Sequence, residues 1–236
     1  MRRRPPDRFP HAVEEQLASR LQRRARAVRS LILDQLRAIQ RKARADSVFG
    51  GASLGPRIRL AVVQAKPVTP ASLTSTGKAV DTAVARGVGA DLGESTAGVE
   101  PNKGAVQDWA RETATRIAEA EAAQVDTALA AADEAANAGE DPVKAAASAL
   151  DSAETRAALL ARDAVGNLTA AVAMACARQM GSERFVWRTR RDERVRDRHQ
   201  ELEGTEWRWD APPEDEGLPG TPPHCRCWGQ ALPPGK

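Results

Sequence analysis

Residues 183–228 read ERFVWRTRRDERVRDRHQELEGTEWRWDAPPEDEGLPGTPPHCRCW, and the fold of the chain is decided by this stretch. It holds four of the five tryptophans (Trp187, Trp207, Trp209, Trp228), two of the three cysteines and two of the three histidines. An indole buries a large area, so a short segment this rich in them packs as a unit of its own. Phe185 to Thr189 carries apolar and β-branched residues and predicts a strand. Asp192 stands where it could cap a helix running to Leu202, with Gly204 closing it. Val195, His199 and Leu202 would then share one helical face. Thr205 to Trp209 reads as a second strand, with Trp207 and Trp209 on the same side. A loop rich in Pro, Gly and acids (211–223) leads to His224–Trp228, which reads as a third short strand. The result is a small α+β module at 182–236.

Moving outward, the segment before the module is helical. Alanine-rich sequence from Gly104 carries Val106, Trp109, Ile117, Val125 and Leu129 at helical spacing and stops at Asn137-Ala-Gly139. Asp141-Pro142 opens another helix through Leu150, and 152–180 predicts a third that ends at Gly181. These helices make an acidic body at 104–181, with twelve acids against five bases over 106–163. Cys176 lies among Ala and Met and reads as a small buried hydrophobe. Between 46 and 103, Gly50-Gly51, Gly55-Pro56, Pro67, Pro70, Gly87, Gly89, Gly93 and Gly98 predict an irregular or linker region, within which 58–63 could form a short strand or helix turn and 72–88 a helix. At the front, after an Arg/Pro-rich stretch to residue 10, Val13, Leu17, Leu21, Ala25, Val28, Ile32, Leu36 and Ile39 step by three or four. That spacing predicts a long amphipathic helix, so that 1–45 form a basic helical arm. The fold class is a mainly α N-terminal body with a small C-terminal α+β module.

The net charge of +3 hides an asymmetry: residues 1–45 carry +9 and the remainder −6. Arg20, Arg23, Arg24, Arg26 and Arg29 are candidates for contact with phosphate or an acidic partner, the alternative being a solvated helix face. No aromatic residues interleave with them, so base stacking is not suggested. Arg2-Arg-Arg4 is followed by Pro5-Pro-Asp-Arg8 where a secretory signal needs an apolar stretch. The longest apolar run, Ala170–Ala177, is far short of the ~20 residues of a membrane span, and no membrane partner is expected. Three cysteines make no disulfide framework.

His199, Cys225 and Cys227 form the one set with metal-ligand chemistry: a C-x-C thiolate pair with an imidazole upstream could hold zinc. Asp192, water or another group would have to complete the tetrahedron, since His224 adjoins Cys225. The competing reading is two reduced, buried strand cysteines and a hydrogen-bonded structural histidine. Asp192 and Arg196 stand at i, i+4, the spacing of an ion pair. No G-x-S-x-G, P-loop, dinucleotide fingerprint or H-E-x-x-H is present. A Cys–His nucleophile pair is chemically conceivable, but the expectation is a chain that is not an enzyme.

The order Trp187-Arg-Thr, Asp192-Glu-Arg-Val-Arg196, His199, Leu202-Glu-Gly204, Trp209-Asp-Ala-Pro-Pro213, Pro219-Gly220 and Cys225-Arg-Cys227 resembles the head morphogenesis family of tailed phages. That family is typified by the minor head protein F of phage Mu. The motif residues that carry the resemblance are therefore Trp187, Asp192, Arg194, Val195, Arg196, His199, Gly204, Trp209, Pro219, Gly220, Cys225, Arg226 and Cys227. Leu159-Leu-Ala-Arg-Asp163 and the helix to Gly181 are similar to the family's lead-in; the first hundred residues carry no resemblance. Some members have further cysteines where this chain has Arg196 and His199. The resemblance implies a structural minor capsid protein made in the host bacterial cytoplasm and carried inside the virion. It also implies portal, capsid and scaffold proteins as partners, and a role in procapsid assembly, DNA packaging or delivery. Two rival functions remain: a zinc-dependent or Cys/His-based enzyme, and a sequence-independent DNA-binding protein using the basic front.

Overall fold

In a computed structural model the chain is described for residues 7–46, 54–65 and 67–235. Its helices are α1 (His11–Asp46), α2 (Leu54–Gln64), α3 (Pro70–Leu92), α4 (Lys103–Asn137), α5 (Pro142–Ala149), α6 (Ala153–Gln179) and α7 (Asp197–Leu202), and its strands are β1 (Arg184–Arg188), β2 (Glu206–Arg208) and β3 (Trp228–Ala231). A mainly α body with a small α+β module is what the chain forms. The region 46–103 read as a linker is corrected: α2 and α3 occupy most of it, 67–69 and 93–102 are loops, and 47–53 and 66 lie outside the described residues. Glycine normally weakens a helix by about 1 kcal/mol, but Gly77 of α3 is there for packing. A Cβ on it would come within 2.7 Å of Val106 and 3.1 Å of the Trp109 indole.

The segments divide differently from the consecutive blocks read in the sequence. One compact unit comprises Met1–Leu17, Pro70–Arg111 and Leu159–Lys236; the other comprises Ala18–Thr69 and Glu112–Ala158. Long helices are the reason, because α1, α4 and α6 each contribute residues to both.

In the second unit, Val28, Ile32, Leu33 and Leu36 of α1 pack with Ile58 and Val62 of α2, Val125, Ala128 and Ala132 of α4, and Ala146 of α5. Alanines at the contact let helix axes approach closely. Asp141 caps α5, its carboxylate accepting from Val143 N at 2.9 Å, as the Asp-Pro signal predicts. The stretch of α1 from Val28 to Leu36 is therefore part of this core. Over Pro142–Gln179 the most apolar window is 56% buried, as expected of helices that fill a core.

The first unit carries the sheet. Its strand order is β2-β1-β3 and both pairings are antiparallel. Phe185, Val186 and Trp187 are all buried, so the central strand is covered on both faces. Trp187 stands opposite Gly229, and a Cβ at Gly229 would lie 2.7 Å from the Trp209 ring. Trp209, just beyond β2, tilts against Phe185 with ring centroids 4.6 Å apart. The other indole of this unit's helices, Trp109, donates from Nε1 to the Ala164 carbonyl at 2.7 Å.

Two local expectations are corrected. Asp192 does not cap a helix: its carboxylate accepts from Arg194 N at 3.2 Å and its carbonyl from Val195 N at 3.0 Å, which makes a turn, and α7 starts only at Asp197. Arg191, with φ 55°, has already turned the chain out of a helical path. The third strand begins at Trp228 and not at His224, because His224 has φ 60° and Cys225 N bonds back to the Pro222 carbonyl.

Candidate functional site

The turn before β3 and the short helix α7 bring together residues far apart in the chain. His199 is buried in α7, with its ring edge-on to Trp187 at 5.5 Å between centroids. Its Nδ1 lies 3.6 Å from Cys225 Sγ and 3.4 Å from Cys227 Sγ. Its Nε2 lies 3.0 Å from Glu216 Oε2. Both cysteines are buried, and Cys227 N–H donates to Cys225 Sγ at 3.3 Å. The alternation of the C-x-C pair is thus folded back by a turn, so that both sulfurs face one nitrogen.

The electrostatics follow from that proximity. A hydrogen bond from the Cys227 thiol pulls Cys225 down to about 5, against the opposing effect of burial and with help from His199. Cys227 is pushed up in turn by its hydrogen bond to Cys225 and by burial. The Cys225 thiolate raises His199 above its ordinary value, and Glu216 adds to the effect while burial opposes it. The same three donor atoms, His199 Nδ1 and the two sulfurs, are the set that could hold a metal.

A small pocket over the group is lined by Arg190, Arg194, Arg196 and Arg226, among others. The Asp192–Arg196 pair expected from spacing is replaced: Asp192 pairs with Arg226 at 2.9 Å, and Arg196 donates to the Pro223 carbonyl. Asp192 is thus not a fourth donor. His224 stands apart as well, half-exposed, with its backbone N donating to Asp163 of α6 at 2.6 Å. Pro219-Gly220 serves packing, because Gly220 (φ 102°) lies against Gly166 of α6. Gly204 (φ 83°) ends α7 as the sequence indicates.

Two acids, Glu216 and Glu203, hold positions that residue type and spacing do not mark. Glu216 sits in a loop with no periodicity to mark it. Glu203 gathers the start of the turn: its Oε2 accepts from Thr189 N at 2.6 Å and Thr189 Oγ1 at 2.8 Å, and its Oε1 from Arg191 at 2.7 Å. In the other unit, three of the five candidate phosphate contacts are met internally. Arg24 bonds Glu121 at 2.7 and 2.9 Å, Arg26 pairs with Glu154, and Arg29 bonds Asp151 at 2.9 Å. Arg20 is engaged too, and Arg23 is exposed.

Against known proteins, the family model described as "Phage Mu protein F like protein" matches residues 77–229. The match begins in α3, well ahead of the motifs read from the sequence, and so corrects the view that nothing before residue 100 is shared. An "Uncharacterized protein" of Haemophilus influenzae, strain Rd, is 38% identical over 74 residues, which are 31% of this chain and 17% of that protein. The match thus spans under a fifth of that relative's length. No solved structure matches the chain significantly.

Proposed function

This chain belongs to the family of Phage Mu protein F-like proteins, and from that membership we propose that it is a minor capsid protein of head morphogenesis in a tailed bacteriophage. The observation that carries the reading is the match over 77–229, which takes in His199, Glu216, Cys225 and Cys227. The chain works as a structural, non-catalytic part of the virion, inside the capsid and at the portal, during procapsid assembly and DNA packaging or delivery. Its synthesis is in the host cytoplasm.

Two features support a structural role. His199, Cys225 and Cys227 are at most 4% exposed, so the two sulfurs offer little surface to a substrate. Phe185, Trp187 and Trp228 of the sheet and Trp209 beside it are all buried. Against the DNA-binding rival stands the internal pairing of Arg24, Arg26 and Arg29.

The test is mass spectrometry of purified particles together with capture of the portal protein by tagged full-length chain. Presence in particles and co-purification with the portal are expected. Absence from particles and from portal captures alike would overturn the reading.

A further inference from the structure

We propose that His199 Nδ1, Cys225 Sγ and Cys227 Sγ bind a Zn2+ ion, leaving the fourth tetrahedral corner to solvent. At ordinary bond lengths of about 2.3 Å to sulfur and about 2.0 Å to nitrogen, a tetrahedral zinc site has S···N edges of about 3.5 Å. The two S···N separations here are 3.6 and 3.4 Å, and all three donor atoms lie within 4.8 Å of one another. Two thiols and an imidazole held at that spacing match zinc's preference for sulfur and nitrogen donors.

The surroundings are those of a ligand set and not of an accidental cluster. Glu216 Oε2, 3.0 Å from Nε2, engages the far side of the ring, so Nδ1 is the nitrogen turned to the sulfurs. A carboxylate on the remote nitrogen is the usual support of a metal-bound histidine. Cys227 N–H, 3.3 Å from Cys225 Sγ, is a donor of the kind that stabilises a metal thiolate. Of the arginines lining the pocket, Arg226 is turned to Asp192 and Arg196 to the Pro223 carbonyl. Binding would replace the thiol and Nδ1 protons by the ion. It would tie α7 to the turn ahead of β3 and stabilise the folded chain, because only the fold brings the three donors together.

The full-length chain, expressed with zinc in the medium, should carry a single zinc per chain by inductively coupled plasma mass spectrometry. Exchange with Co2+ should give thiolate-to-cobalt charge transfer and the visible bands of a tetrahedral site. The Cys225→Ser/Cys227→Ser double variant should lose both, while Cys176→Ser, whose thiol lies on α6 outside the cluster, keeps them. Glu216→Gln should weaken zinc binding by about 10–100-fold. If the double variant does not fold, the cobalt spectrum of the unaltered chain decides. A folded chain that retains no zinc after equimolar addition and dialysis, or a cobalt form without thiolate charge transfer, would overturn the proposal.

Discussion

Gly166 of α6 and Gly220 of the loop before β3 meet backbone to backbone: a Cβ on Gly166 would stand 2.4 Å from the Gly220 carbonyl oxygen. Glycine is required on both sides of this contact, because Gly220 also has φ 102°. Gly166→Ala should therefore destabilise the protein by about 1–3 kcal/mol through overpacking. Helix propensity alone would make the same change stabilising by about 1 kcal/mol, so the sign in a urea titration separates the two effects.

Glu203 is the acceptor on which the Thr189 backbone and hydroxyl converge, at 2.6 and 2.8 Å. Burial works to raise its carboxyl, but the Thr189 donors and Arg191 hold it below the ordinary 4.5. Its contribution is present above pH 4.5 and is lost as pH falls through the lowered value. Glu203→Gln should cost roughly 2 kcal/mol at pH 7, since an amide NH2 would face donors. Chemical denaturation at pH 7 and pH 4 should show the difference between variant and parent shrinking in acid.

His11 is pushed up to about 9, chiefly by its hydrogen bond to Asp7 and next by Glu14, against burial. Arg190 Nη1, 3.3 Å from Nδ1, opposes the shift, and Arg162 holds Glu14 at 2.9 Å from the other side. The folded value lies above the ordinary 6.5, so the protonated ring favours folding. That contribution is complete below pH 6.5 and disappears as pH rises through about 9. A Tm profile across this window should fall for the parent and be flatter for His11→Gln.

Arg24 and Arg23 are neighbours with different prospects. Arg24 forks onto Glu121 at 2.7 and 2.9 Å with both side chains largely covered, whereas Arg23 is exposed. Arg24→Gln should cost about 1–2 kcal/mol, and Arg23→Gln should stay within about 0.5 kcal/mol. Thermal unfolding reads both. Single substitutions are also the right probe of DNA binding, since deleting residues 1–45 would remove core residues Val28 and Ile32.

Local chemistry made several elements legible in the sequence. Asp141-Pro142 marks the start of α5, Gly139 and Gly181 the ends of α4 and α6, and the β-branched and aromatic run of 184–188 its strand. Each rests on contacts within a few residues, which composition and spacing encode. The helix α3 was legible only in part, over 72–88, because its glycines speak against a helix until Trp109 and Val106 are seen to occupy the space beside Gly77. The candidate donors His199, Cys225 and Cys227 could be named from residue type alone. Only the tertiary structure decided that they meet, that Glu216 holds the far nitrogen, and that Arg226 and not Arg196 pairs with Asp192. Those contacts join residues 17 to 34 positions apart through a turn with positive φ at His224, and no periodicity records such a path.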